Sequence, residues 1–232
     1  MSYRTLLIAA AMLTGCAPEH AQLKAGNSVR IDHVIVGTSD LDLAVRQIAE
    51  STGVRPVFGG AHPGRGTRNA LIALGDGTYL ELLAPDPAQA VDNEELGELR
   101  ALSRPTPVGW AVSADNEAAI RSALAGADVA TSKSEGGSRV KPDGAVLRWT
   151  SFGYAAIEDS LAPFFIVWAK PASHPSRTSP TGCRLTGLRI ESPEADSLRR
   201  AITPLRLDVT VDRADRARMH LSLSCPKGAI SL

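Results

Sequence analysis

The sequence predicts an α+β protein of repeated βαβββ modules, whose curved mixed sheets surround a cleft. Short runs rich in Val and Ile, with apolar and polar residues alternating, mark strands. Between them lie segments of helical period, opened by residues that cap helix N-termini. The same order of strand, helix and three strands returns after roughly 75 residues, and internal repetition of that kind indicates duplicated structural units.

The N-terminus reads MSYRTLLIAAAMLTGCAPEH. Arg4 supplies a positive start, and Thr5 to Leu13 form an apolar stretch too short to span a bilayer. Leu13-Thr14-Gly15-Cys16 then has the form of a bacterial lipobox, in which a cysteine is acylated and becomes the first residue of the mature chain. Residues 1–15 are expected to be a lipoprotein signal peptide, and Cys16 a membrane anchor that does not span the bilayer. Residues 16–29 are polar and aperiodic, as in a tether. Ala17, rather than Asp, follows the cysteine, which in a Gram-negative host corresponds to sorting to the periplasmic face of the outer membrane. With Cys16 lipidated, Cys183 and Cys225 remain as an even pair in an oxidising compartment. There they are either disulfide-bonded or two buried thiols.

Module one is expected over 30–86. IDHVIVG alternates as a strand, and Thr38, Ser39 and Asp40 are capping residues. LDLAVRQIAESTG sets Leu41, Val45 and Ile48 on one helical face and stops at Gly53. RPVFGG is a short strand and AHPGRGTR a glycine-rich loop or hairpin. NALIALG and TYLELLA are strands joined at Asp76-Gly77, a hairpin signal. Residues 87–104 read as a connecting helix. Module two, 105–170, repeats the order: the strand PVGWAVS, a helix starting near Ala114 or Asp115, and the strands DGAVLRWTSFG and LAPFFIVWA. SKSEGGSRVKPDG, Ser132 to Gly144, reads as a polar hairpin or loop. A shorter module-like segment, 181–232, closes the chain.

With 25 basic and 25 acidic residues the net charge is zero, and aromatic residues make up only 4%. That balance gives no basic face for nucleic acid and no stacking platform for single strands. No G-x-S-x-G elbow, H-E-x-x-H or paired C-x-x-C is present. The chemistry-bearing candidates are His33, the one histidine in its alternating strand, and Glu81, which shares a strand face with Tyr79 and Leu83 and needs a partner or a pocket there. AHPGRGTRNAL contributes donors from His62, Arg65, Arg68 and Asn69, with Arg68 able to clamp a carboxylate or phosphate. Trp110, Trp149, Phe164, Phe165 and Trp168 line either an apolar cleft or the core.

Two βαβββ units with His in the first strand and Glu in the last resemble the vicinal oxygen chelate superfamily, and within it the glyoxalase-like domain family. The stretches IDHVIVGTSDLDLAV, GGAHPGRGTRNALIALGDGTYLELLAP, GWAVSADN, LAPFFIVWAK, SHP and CPKGAISL carry the resemblance across 31–232. It implies a small oxygen-rich ligand in the cleft, either bound only or bound and converted, with a divalent metal on ligands drawn from the first and last strand of each module. His33 and Glu81 stand at such positions and are the candidate catalytic pair. Module two offers only Val108, Gly109 or Trp110 and Val167 at the matching places, so the resemblance turns to His174 for a further metal ligand. Substrate contacts are expected from His62, Arg68, Asn69 and Trp110. The rival expectation is a binding lipoprotein without metal or catalysis. Oligomeric state is left open.

Overall fold

The computed structural model describes residues 29–157, 159, 161–170 and 174–232. The signal peptide, Cys16 and most of the tether lie outside them. Among the described residues, no helix is long and apolar enough to cross a membrane.

Module one consists of β1 (Arg30–Gly37), α1 (Leu41–Thr52), β2 (Val57–His62), β3 (Thr67–Gly75) and β4 (Thr78–Pro85). The short helix α2 (Glu94–Ala101) leads to module two: β5 (Thr106–Ser113), α3 (Glu117–Ala125), β6 (Glu135–Val140), β7 (Val146–Phe152) and β8 (Phe164–Trp168). The eight strands close into one barrel in the order β1-β4-β3-β2-β6-β7-β8-β5. In both modules the first strand runs parallel to the last. The modules join along a long antiparallel β1–β5 ladder and, on the other side, through the single register pair Ala61↔Val140 between β2 and β6.

Strand alternation divides the barrel into an inside and an outside. On β1 and β4, Val34, Val36, Leu80 and Leu82 are fully buried in the outer core, while His33, Ile35, Tyr79, Glu81 and Leu83 line the lumen. Asp40 caps α1 through Leu43 N, and Leu41, Ala44 and Ile48 face the core; Val45 packs at its edge. Module two differs in detail from the sequence expectation. Asn116, not Ala114 or Asp115, caps α3 by accepting from Ala119 N. Glu135–Val140, expected as hairpin or loop, is a strand paired along its length with β7.

The C-terminal segment consists of the short helix α4 (Pro175–Thr178), β9 (Arg184–Ser192), α5 (Ala195–Ile202), a 3-10 turn at Thr203–Leu205, β10 (Thr210–Arg213), β11 (Arg218–Cys225) and β12 (Gly228–Ser231). Its strand order is β10-β9-β11-β12, a separate four-stranded sheet. Its element order repeats the modules but its pairing does not. Here the first strand runs parallel to the strand just after the helix, not to the last strand. The sheet packs on the barrel, with β11 against β5 and β9 against β3. Cys183 and Cys225 are bonded to each other, tying the entry of β9 to the end of β11.

Candidate functional site

The barrel lumen is a cavity of about 550 Å³. Its polar wall begins on β1. A bulge between Ile31 and His33 leaves both Asp32 and His33 buried, although they are sequence neighbours. The Asp32 carboxylate accepts from His33 Nδ1 at 2.8 Å on one oxygen, and from His174 Nε2 at 3.0 Å and Trp168 Nε1 at 3.1 Å on the other. Burial acts to raise the Asp32 pKa, but the hydrogen bonds from His174 and His33 outweigh it and hold the group well below the usual carboxylate range. An ionised Asp32 fixes a proton on His33 Nδ1 and turns Nε2 toward Glu81, whose Oε2 lies 3.5 Å away. The Tyr79 ring stacks on His33 at 4.7 Å, and Phe164 meets it edge-on at 5.5 Å.

Glu81 is buried and, besides His33, contacts side chains of β2 and β3. Asn69 Nδ2 donates to its Oε1 at 2.6 Å, and His62 Nε2 stands 3.8 Å from the same oxygen. Burial pushes the Glu81 pKa upward, but His33, His62, the Asn69 hydrogen bond and Arg139 together keep it below 4.5, so the group is anionic. Burial lowers the His62 pKa from 6.5 against the pull of Glu81. The neutral ring accepts from Asn69 at 3.4 Å on Nε2 and pairs with Thr67 Oγ1 at 2.9 Å through Nδ1. On the far side, Asn69 Oδ1 accepts from Arg139 Nη1 at 3.4 Å. Trp149, Phe152, Phe164, Ile166 and Trp168 complete an apolar wall supplied by module two.

His33, Glu81, His62 and Asn69 therefore come together as one polar cluster. Arg68 does not join them. Thr67 and Asn69 point into the lumen, so Arg68 between them points out, toward Asp42 of α1 at 3.7 Å. Trp110 borders the cavity but is fully buried, donates Nε1–H to the Leu161 carbonyl and packs in the core cluster with Phe165. Asp32 and Arg139 were not foreseen from the sequence. The alternation of β1 could have drawn attention to Asp32, a carboxylate in an apolar strand.

The donor set does not fit a chelated divalent ion. His174 reaches the cluster only through Asp32, and its Nδ1 is engaged by Ser176. Counted from the caps Asp40 and Asn116, Gly109 occupies in module two the place of His33 in module one. Phe164 pairs with Ala111 as Glu81 pairs with Ile35, so Phe164, not Val167, stands at the second glutamate position. Among the described residues, no three His, Cys, Asp or Glu side chains form a group able to hold a metal.

A closed barrel of two βαβββ modules with a polar cluster in its lumen defines a protein of the glyoxalase-like type. The sequence profile of the glyoxalase-like domain family matches residues 31–205, and the chain belongs to that family. No curated protein sequence matches it. Among solved structures, a hypothetical protein from Staphylococcus aureus superposes with a TM-score of 0.63 at 14% identity, covering 82% of this chain and 88% of that one. That likeness is one of fold. Methylmalonyl-CoA epimerase from Mycobacterium tuberculosis matches 62% of this chain and 89% of its own, at 19% identity and a TM-score of 0.41.

Proposed function

We propose that this protein binds a small oxygen-rich molecule in the barrel lumen and moves a proton on it without a metal, His33 and Glu81 acting as the acid/base pair. The observation that carries this reading is the buried chain of contacts from Asp32 through His33 to Glu81, which ends in the cavity. Asp32 fixes the ring, so Nε2 is the nitrogen that meets the ligand. Nε2 takes a proton from a carbon beside a carbonyl; the C–H pair becomes the C=C bond and the carbonyl π pair moves onto oxygen, giving an enolate. The proton returns to carbon from His33 or passes to Glu81. Tyr79, whose hydroxyl pKa burial and then the charges of Asp32 and Glu81 raise well above 10, stays a neutral phenol and holds the imidazole by stacking.

The test is hydrogen–deuterium exchange into pyruvate and hydroxyacetone in D2O, followed by proton NMR, with bound metals measured on the same dialysed protein. We expect exchange by metal-free wild type and a loss of about a hundredfold or more in His33→Gln and in Glu81→Gln. Wild type without exchange, or variants that match it, would favour the second reading: a binding lipoprotein without catalysis. Gly109 and Phe164 at the second module's ligand positions favour that alternative.

The same proposal places the protein in the cell envelope, anchored by lipid on Cys16. Radiolabelled palmitate should enter the wild type and not Cys16→Ala, and the variant should leave the membrane fraction.

A further inference from the structure

Arg139 lies on β6 with only 4% of its surface exposed. It lines the cavity. Among the described residues its one hydrogen-bond partner is Asn69 Oδ1, at the long distance of 3.4 Å, and no carboxylate lies within ion-pair reach. The nearby carboxylate, Glu81, is already engaged by Asn69 and His33. A guanidinium offers five N–H donors in a planar fork. Burial outweighs the attraction of the nearby Glu81, so part of the cost of desolvating the guanidinium is not offset within the fold.

The strand beneath it is shaped to admit it. A Cβ at Gly59 would lie 2.3 Å from Arg139 Nη1 and 2.4 Å from Asn69 Oδ1, and one at Gly60 would lie 3.1 Å from Arg139 Cγ. Two glycines in succession thus let the side chain lie across β2 at the lumen wall. The rings of Trp149 and Trp168, 5.4 Å apart, stand in the same cavity, with Phe164 beyond.

We propose that Arg139, lying over Gly59 and Gly60, is the anion seat of the lumen, and that the ligand carries one carboxylate on an apolar or aromatic body. The carboxylate takes the bidentate fork, and the body lies on the Trp149–Trp168 wall. One negative charge suits the seat better than two, because anionic Glu81 stands close by. This rests on reading the lumen as the small-molecule site, not on the acid/base roles given to His33 and Glu81.

The experiment is a titration of the full chain, in mild detergent, with phenylacetate, phenylacetamide and phenyl phosphate, followed by tryptophan fluorescence. The acid should bind saturably and about tenfold or more tightly than the amide or the phosphate. Arg139→Met should abolish that preference. Its thermal midpoint should stay level or rise, since a buried charge without a carboxylate partner is removed. Gly59→Ala, which keeps the arginine but displaces it, should weaken acid binding about tenfold. Equal affinity for acid and amide, tighter binding of the phosphate, an unchanged preference in Arg139→Met, or no saturable acid binding up to about 10 mM would each overturn the proposal. Binding preference without hydrogen exchange leaves the anion seat standing and removes the acid/base reading. Exchange without preference does the reverse.

Discussion

Asp32 is the residue on which the polar cluster depends. Itself fully buried, it accepts three hydrogen bonds from three different side chains, that from His33 buried and those from His174 and Trp168 part-buried. Asp32→Asn turns an acceptor into a group that must also donate, and at least one of His33, His174 and Trp168 then faces an amide N–H. The expected cost is about 2–4 kcal/mol in urea unfolding; a loss below about 0.5 kcal/mol would show that the ring orientations do not depend on this carboxylate. His62 gives the pH dependence. Its folded pKa lies below the ordinary 6.5, so its contribution is complete above pH 6.5 and is lost as pH falls toward the folded value. Glu81 acts in the same direction below 4.5. Stability should therefore begin to fall below pH 6.5, and His62→Gln should flatten that first part of the curve. His33 and Glu81 were legible in the sequence because each stands among apolar residues in a run that alternates as a strand, although Asp32 beside His33 was passed over. Arg139 was not, because SKSEGGSRV has no apolar alternation and becomes a strand only by pairing with β7. Arg68 misled for a related reason: its chemistry was read without the strand face that Asn69 already determined.

Among the elements, the β2–β6 seam is the weakest part of the barrel wall, with one register pair against the long ladder between β1 and β5. Gly60 makes the closure feasible. Its φ is +141°, and a Cβ there would sit 2.0 Å from the Val140 carbonyl oxygen. Gly60→Ala should cost more than about 2 kcal/mol and speed amide exchange along β6 before β4. Gly136→Ala, on the partner strand β6 with nothing near its Cβ, should stay within about 0.5 kcal/mol. Equal effects of the two substitutions would remove the seam from this account. The helix caps were readable to within a residue or two, Asp40 correctly and Asn116 one residue late, because Asp and Asn cap by the same hydrogen bond.

At the scale of the molecule, the repeat was visible in the sequence but its limit was not. The element order of the C-terminal segment copies the modules, and only the pairing partner of β9 shows that it forms a different sheet. Nothing in local periodicity reports which strand a strand will choose. The Cys183–Cys225 bond spans 42 residues and encloses most of that sheet. Reduction, or Cys183→Ser with Cys225→Ser, should lower stability by about 4 kcal/mol on the chain-entropy account. Proteolysis should then attack 184–232 before the barrel. Simultaneous cleavage throughout would mean that the two sheets unfold as one unit.

The replacement of histidine and glutamate by Gly109 and Phe164 reaches beyond the question of metal. A barrel of two equal modules offers the same welcome at both ends and room for two identical guests. Here one half offers charge and exchangeable protons, and the other an arginine set among aromatic rings. The chain has thereby given its lumen a direction. On the proposed reading, a guest must itself be two-ended, enter only one way round and bind once per chain, so a titration should saturate at one equivalent.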